Sequence, residues 1–334
     1  MLRVLRRLLM LLVLVTSGLA AVMVWWLQSP LPVDLRGREV LDVRIPPGTS
    51  ARGVARLVVE SGVRSPEWLL FAWFRVSGES RNMKAGAYEI DAATSPRRLL
   101  AKLVNGEQAL RRVTLVEGWN YRQVLQALRS AEHLEYDLPD GDPVSLMRTL
   151  GLASAHPEGR FFPDTYIYPK YSTASSVLRQ AAQAMDRRLQ QAWEQRMPGL
   201  PLRNPEELLI LASIIEKETG LASDRDMVAG VFMNRLRIGM RLQTDPTVIY
   251  GLGDDFDGRL RRRHLDTDTP YNTYTRAGLP PTPIAMPGMA SLLAAGQPAQ
   301  TQAMYFVSRG DGSSEFSRTL DEHNRAVRRF ILNQ

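Results

Sequence analysis

Apolar and polar positions divide the chain into three stretches: an unbroken hydrophobic run, short alternating segments that each lead into a 3.6-residue period, and a long, mainly helical-period remainder. The first run, LLMLLVLVTSGLAAVMVWWL at residues 8–27, carries no charge over the length a helix needs to cross a bilayer. Arg3, Arg6 and Arg7 precede it, and Trp25 and Trp26 sit where an aromatic belt belongs. The pattern predicts a retained anchor, because a cleaved signal has a shorter apolar region and a small-x-small site. Residues 1–7 are then cytoplasmic, 8–27 span the membrane, and 28–40, with two Pro in QSPLPVDLRGRE, form a linker on the outer side.

Three strand–turn–helix units follow: LDVRIPPGTSARGVARLVVESG, GAYEIDAATSPRRLLAKLVNG and RRVTLVEGWNYRQVLQALRSA. Helix starts are signalled by Thr49 or Ser50 before Ala51, Ser95 before Pro96, and Asn120 before Tyr121. Between the first two units, SPEWLLFAWFRVSG reads as an aromatic-rich helix covering a small sheet. Strand, helix, helix, strand in so few residues makes a compact α+β module, assigned to 41–110, with the boundary inside 105–112. Residues 111–334 form a second, larger domain, including a helix over about 173–196.

The segment NPEELLILASIIEKETG, Asn204 to Gly220, carries the sharpest signal. Asn204 as N-cap, Pro205 at the first helical position, Glu207 as capping-box acid and Gly220 after the last turn predict a helix over 205–219. At about 100° per residue, Leu208, Ile210, Leu211, Ile214 and Ile215 form a stripe with Glu218 in its middle. Glu216 and Lys217 fall at or beyond the stripe's edge, as solvated charges would. A carboxyl aimed at the core and placed in the last turn holds its proton more firmly than usual, as a general acid requires. The alternative is a buried Glu neutralised by an Arg or by backbone amides.

Downstream, VAGVFMNRLRIGMRLQTDPTVIYG begins as a helix with Val228, Val231, Phe232 and Leu236 on one face. It breaks at Gly239 and continues extended, with Leu242 and Thr244 on one side, Gln243 and Asp245 on the other. Asp245 before Pro246 reads either as a turn with Asx chemistry or as a functional acid. DTPYNTYTRAGLPPTPIAMPG then presents Tyr271, Asn272, Thr273 and Tyr274 ahead of a stiff Pro-rich loop. Aromatic rings beside amide, hydroxyl and carboxylate groups suit a carbohydrate, whose rings offer both C–H faces and hydroxyls. EGRFFPDTYIYP repeats the theme around Asp164, where a packed Pro turn explains the pattern slightly better.

Composition then removes alternatives. With no Cys among 334 residues there are no disulfides, thiol nucleophiles or iron–sulfur clusters. The four His (His133, His156, His264 and His323) lie far apart in sequence, and no H-E-x-x-H, G-x-S-x-G, Walker or dinucleotide fingerprint occurs. No metal or other cofactor is expected. His323 near the C-terminus is a candidate to line a cleft. The net charge of +7 comes from scattered Arg with only four Lys, which fits an anionic polymer or membrane surface better than a nucleic acid.

Together ASIIEKET, FPDTY, NRLRIGMRLQTDPTVIYG, YNTYTRAGLPP and YFVSRGDGSSEFSRTLDEHN resemble the MltG (YceG-like) family of membrane-anchored endolytic murein transglycosylases, strongly over about 113–330. The resemblance implies an α+β fold with a LysM-like module ahead of the catalytic domain, matched only weakly in sequence. It implies non-hydrolytic cleavage of the bond between N-acetylmuramic acid and N-acetylglucosamine inside peptidoglycan strands, leaving a 1,6-anhydro end. It further implies an inner-membrane location, a periplasmic catalytic domain and work beside peptidoglycan synthases, releasing glycan strands or limiting their length. The family's catalytic acid falls on Glu218; under this reading Gln243, Thr244, Asp245, Asn272 and Tyr274 position substrate. Two alternatives stand beside it. A muramidase would recruit a second carboxylate from Asp245, Asp164 or Glu117, and a non-catalytic tether would only bind the wall.

Overall fold

The computed structural model describes residues 2–154, 156–219 and 221–332. The chain is mixed α+β and divides into two units, Met1–Arg111 with Ile167–Tyr171, and Arg112–Tyr166 with Ser172–Gln334.

The first unit opens with helix α1 (Leu2–Gln28), the one helix among the described residues long and apolar enough to cross a membrane. From Val4 to Val24 its leucines and valines are exposed, and near its end Trp26 packs against the unit's core. Strand β1 (Val40–Ile45), helices α2 (Ala51–Glu60) and α3 (Glu67–Val76), strand β2 (Gly86–Asp91) and helix α4 (Pro96–Asn105) follow in the order the sequence predicts. The strands pair antiparallel from Val40↔Asp91 to Ile45↔Gly86. Leu41, Val43 and Ile45 alternate into a core with Val54 and Val58 of α2, Leu70 and Phe74 of α3, and Leu99 and Leu103 of α4. Ser50 Oγ accepts the Gly53 N–H and Ser95 Oγ the Arg98 N–H, each at 3.2 Å, so both expected caps form. Lys170 is buried, and its Nζ lies 2.7 Å from carboxylate oxygens of both Asp42 and Glu89.

Strands β3 (Leu110–Thr114) and β4 (Thr165–Pro169) form a second two-stranded sheet, and the division between the units falls within both strands. The second unit contains α5 (Tyr121–Arg129), α6 (Pro143–Leu150), α7 (Ala174–Glu194), α8 (Pro205–Glu218), α9 (Arg225–Arg237), α10 (Asp245–Leu252), α11 (Arg262–Asp266) and α12 (Met289–Gly296). It ends in the antiparallel hairpin β5 (Tyr305–Ser308) and β6 (Ser314–Ser317), then α13 (Leu320–Phe330). Asn120 and Gln123 complete a reciprocal capping box at α5.

Helix α8 lies at the centre, in one core with residues of α7, α9 and α12. Every side chain from Leu208 to Ile215 is buried, including Leu209 and Ala212 on the side opposite Leu211. The expected apolar stripe is therefore a helix buried all round, and Glu218 is distinguished by its place at the open C-terminal end. Asn204 Oδ1 caps the Glu207 N–H at 3.0 Å, but Glu207 reaches back to the N–H and guanidinium of Arg203 rather than to the cap's own N–H. Gly220, expected as the residue closing the helix, lies outside the described residues. The Pro-rich loop lies against α8: Ser213 Oγ, buried in mid-helix, accepts the Ile284 N–H at 3.0 Å.

The segment after Gly239 departs from expectation. Gln243 takes a φ of 48°, which breaks an extended run, and Asp245 opens α10 with Pro246 in its first turn instead of making a turn. The expected alternation of faces persists nonetheless, with Leu242 and Thr244 buried, Gln243 and Asp245 exposed.

Candidate active site

Glu218 closes α8 and its carboxylate accepts the hydroxyl of Thr244, 26 residues away in sequence. Thr273 holds that loop in place: its Oγ1 accepts the Thr244 N–H at 3.0 Å and its carbonyl the Gln243 N–H at 3.1 Å. Burial dominates the electrostatics of Glu218 and pushes its pKa up to about 7. The Thr244 hydroxyl pulls it down, the charge of Asp245 pushes it up, and Arg235 pulls it down. Near neutral pH the carboxyl is thus divided between its protonated and ionised forms, as a group that must both give and take a proton requires.

A cleft of about 340 Å³ exposes this carboxyl and is lined also by Arg235, Gln243, Asp245, Tyr274, Tyr305, Phe306, Leu320 and His323. Tyr274 donates its phenol to Asp245 Oδ1 at 2.5 Å. Arg235, on α9, is almost fully buried; its Nε donates to the Met304 carbonyl at 2.7 Å and its Nη1 to the Leu242 carbonyl at 2.6 Å. It ties hairpin β5–β6 to the loop that presents Thr244. Sequence reasoning missed it, although Arg235 lies three, four and seven residues after Phe232, Val231 and Val228 and so shares their apolar face. His323 does line the cleft, stacked on Tyr305 at 5.2 Å between ring centroids, and burial keeps its pKa below the usual histidine range.

The expected site residues separate into two groups. Glu218, Gln243, Asp245 and Tyr274 share the cleft. Thr244 is 1% exposed, is not among the residues lining the cleft, and gives its hydroxyl to the Glu218 carboxylate. Asn272 does not reach the cleft: it is 0% exposed, and its Nδ2 donates to the carbonyls of His264, Leu265 and Thr267. Its Oδ1 accepts the Tyr274 N–H at 2.8 Å, so the residue is tied to the chain that carries the tyrosine.

Of the alternative second carboxylates, only Asp245 lies in the cleft. Asp164 is exposed and accepts the adjacent Thr165 N–H at 2.7 Å. Glu117 sits against Gly288, where an added Cβ would come within 1.8 Å of its Oε1. Glu216 and Lys217 are not merely solvated: Glu216 Oε2 accepts the Gly288 N–H at 3.0 Å and Lys217 Nζ donates to the Gly118 carbonyl at 3.3 Å. Among the described residues no three His, Asp or Glu side chains gather as a metal-ligand set.

A larger cavity of about 820 Å³ lies in the same unit, lined by Lys217 and Pro246, the chain neighbours of Glu218 and Asp245. Beside it Glu158, 0% exposed, accepts the Tyr121 N–H and the Tyr250 hydroxyl, each at 3.1 Å. Burial pushes Glu158 up to about 7 as well. In EGRFFPDTY the aromatic residues flank Asp164, and no periodicity marks Glu158 as inward.

The model of the YceG-like family matches residues 43–329. A Bacillus subtilis protein named endolytic murein transglycosylase is 30% identical over 322 residues, covering 91% of this chain and 88% of the relative. A Streptococcus pneumoniae protein of the same name, from serotype 2 strain D39, is 26% identical over 340 residues, covering 90% of this chain and 60% of the relative. The crystal structure of a YceG-like protein from Listeria monocytogenes superposes with a TM-score of 0.53 at 28% identity, covering 86% of this chain and 99% of that one. By sequence over most of its length and by fold, the chain belongs to the YceG-like family.

Proposed function

We propose that the protein is a lytic transglycosylase that cuts peptidoglycan strands internally, with Glu218 as its single acid and base. One observation carries this reading: a carboxyl with a pKa pushed up to about 7 opens into a cleft that also presents Asp245, Tyr274 and Gln243. Glu218 protonates the glycosidic oxygen between the muramyl and glucosaminyl sugars. The first proton stays on the departing sugar as its new hydroxyl, and Glu218 then accepts the proton of the muramyl C6 hydroxyl as that oxygen closes on C1, leaving a 1,6-anhydro end. Asp245, held by the Tyr274 phenol, faces the positive charge that develops at C1. Gln243 and Tyr274 orient the sugars, while Thr244 and Arg235 hold the acid and its loop.

In this reading α1 holds the chain in the plasma membrane with Arg3, Arg6 and Arg7 on the cytoplasmic side and the second unit in the periplasm, working on newly made strands. Residues 41–110 serve as a LysM-like module that grips the strand, a role that the β1–α2–α3–β2 order supports. Peptidoglycan synthases supply the substrate.

The test is mass spectrometry of products from uncrosslinked glycan strands, with the full chain and its Glu218→Gln variant. Internal fragments lighter than hydrolysis products by one water, absent with the variant, are expected. The presence of Asp245 in the cleft favours one second reading, a muramidase, which would give water-added products. No cleavage by either protein would leave a tether.

A further inference from the structure

Beside the cleft, the 820 Å³ cavity has more than twice its volume and no part in the chemistry assigned to Glu218. Its rim carries both signs of charge. Arg122 pairs with Asp254 at 2.5 Å, both side chains more than half exposed, and Asp255 and Lys217 add one charge of each sign. Its walls are aromatic, with the Tyr250 and Tyr271 rings in edge contact at 4.9 Å. Glu158 fixes one of them through the Tyr250 hydroxyl and fixes the start of α5 through the Tyr121 N–H. The chain passes from one concavity to the other at two places, between Lys217 and Glu218 and between Asp245 and Pro246. Consecutive Cα atoms are about 3.8 Å apart, so the two concavities share these stretches of chain as walls and lie side by side.

The occupant must therefore be a branch with both signs of charge and some apolar surface. Sugar rings of a glycan strand are uncharged, whereas the short peptide on the muramyl lactyl group carries carboxylates, an amine and alanyl methyl groups. An exposed Arg–Asp pair is weak in water and exchanges readily for a ligand carboxylate, which a guanidinium can grip with two parallel bonds. We infer that the cavity beside Arg122, Lys217 and Asp255 is the subsite for the peptide branch of the substrate, so that the enzyme reads the branch as well as the bond it cuts. The inference rests on the transglycosylase reading of Glu218.

Two measurements on the full-length chain in detergent test it. In the first, kcat/KM is compared for glycan strands with peptide branches and for strands stripped of them by cleavage at the lactyl amide. Branched strands are expected to be preferred about tenfold, through KM, with the ratio falling toward one in Arg122→Ala, the weight of one charge-assisted contact. In the second, calorimetry follows binding of the free tripeptide Ala-Glu-diaminopimelate to the Glu218→Gln chain. Binding weakened about tenfold by adding Arg122→Ala is expected. Absence of tripeptide binding, or equal kcat/KM for both strand types, would overturn the subsite. If the wild-type chain cuts neither strand but the tripeptide binds through Arg122, the catalytic reading fails and the subsite stands.

Discussion

Two glutamates in the second unit, Glu218 and Glu158, share one electrostatic fate and differ in almost everything else. Burial pushes both up to about 7. Glu158 is 0% exposed and spends its oxygens on a backbone N–H and a phenol, whereas Glu218 takes one hydroxyl and keeps the rest of its carboxyl on a cleft. A raised pKa marks a carboxyl withdrawn from water; only what that carboxyl can reach decides whether it is chemistry or architecture.

Glu218→Gln should produce the largest separation between the two, a loss of about 10²–10⁴-fold in strand cleavage, the usual contribution of a positioned acid–base group, with folding intact by circular dichroism. Its own pH dependence is expected to show as a cleavage rate that declines as pH rises through about 7, because the first step needs the protonated form.

Stability should depend on pH in the same direction for both groups. Each carboxyl ionises near 4.5 in the unfolded chain and near 7 in the folded one. The folded chain therefore binds more protons across this window, so stability is full below about 4.5 and is lost as pH rises to about 7. For Glu158 the change amounts to about 3 kcal/mol. Denaturant unfolding at a series of pH values should show the decline, and Glu158→Gln should make it shallower, leaving the part that belongs to Glu218; an unaltered slope would mean that Glu158 is ionised in the fold at little cost.

Glu158→Leu should lower unfolding free energy at pH 5 by about 2 kcal/mol, since the Tyr121 N–H and the Tyr250 hydroxyl lose their acceptor. The smallest effect belongs to Thr244→Val. Removing the hydroxyl that stabilises ionised Glu218 should move the alkaline limb of the cleavage profile up by about one pH unit, roughly the weight of one hydrogen bond to a charged group. A limb that stays in place would show that Thr244 supports the loop and not the acid's proton.

These comparisons also mark where sequence reading ended. Caps at Ser50, Ser95 and Asn120 and the placement of Glu218 near a helix end were legible because local rules set them within a few residues. Inward and outward polar groups in irregular chain were not, because no period orders them. The side chain of Asn272, expected beside a sugar, gives its Nδ2 to three backbone carbonyls, and nothing local marks Glu158 as buried. Arg235 was readable from the face it shares with Phe232, but a charge inside an apolar pattern is easily passed over. The complete burial of α8 depends on which helices surround it, which no single segment encodes.

The first unit is built from two stretches of chain, and this has a temporal consequence. Asp42 and Glu89 both wait for Lys170, which arrives with Ile167–Tyr171 long after Arg111 has left the ribosome. At about 5–20 residues per second, the amino-terminal unit spends several seconds with two carboxylates short of a buried partner. A gene cut at residue 111 would leave it in that state permanently, so the natural place to divide this protein is not after the first stretch of its first unit.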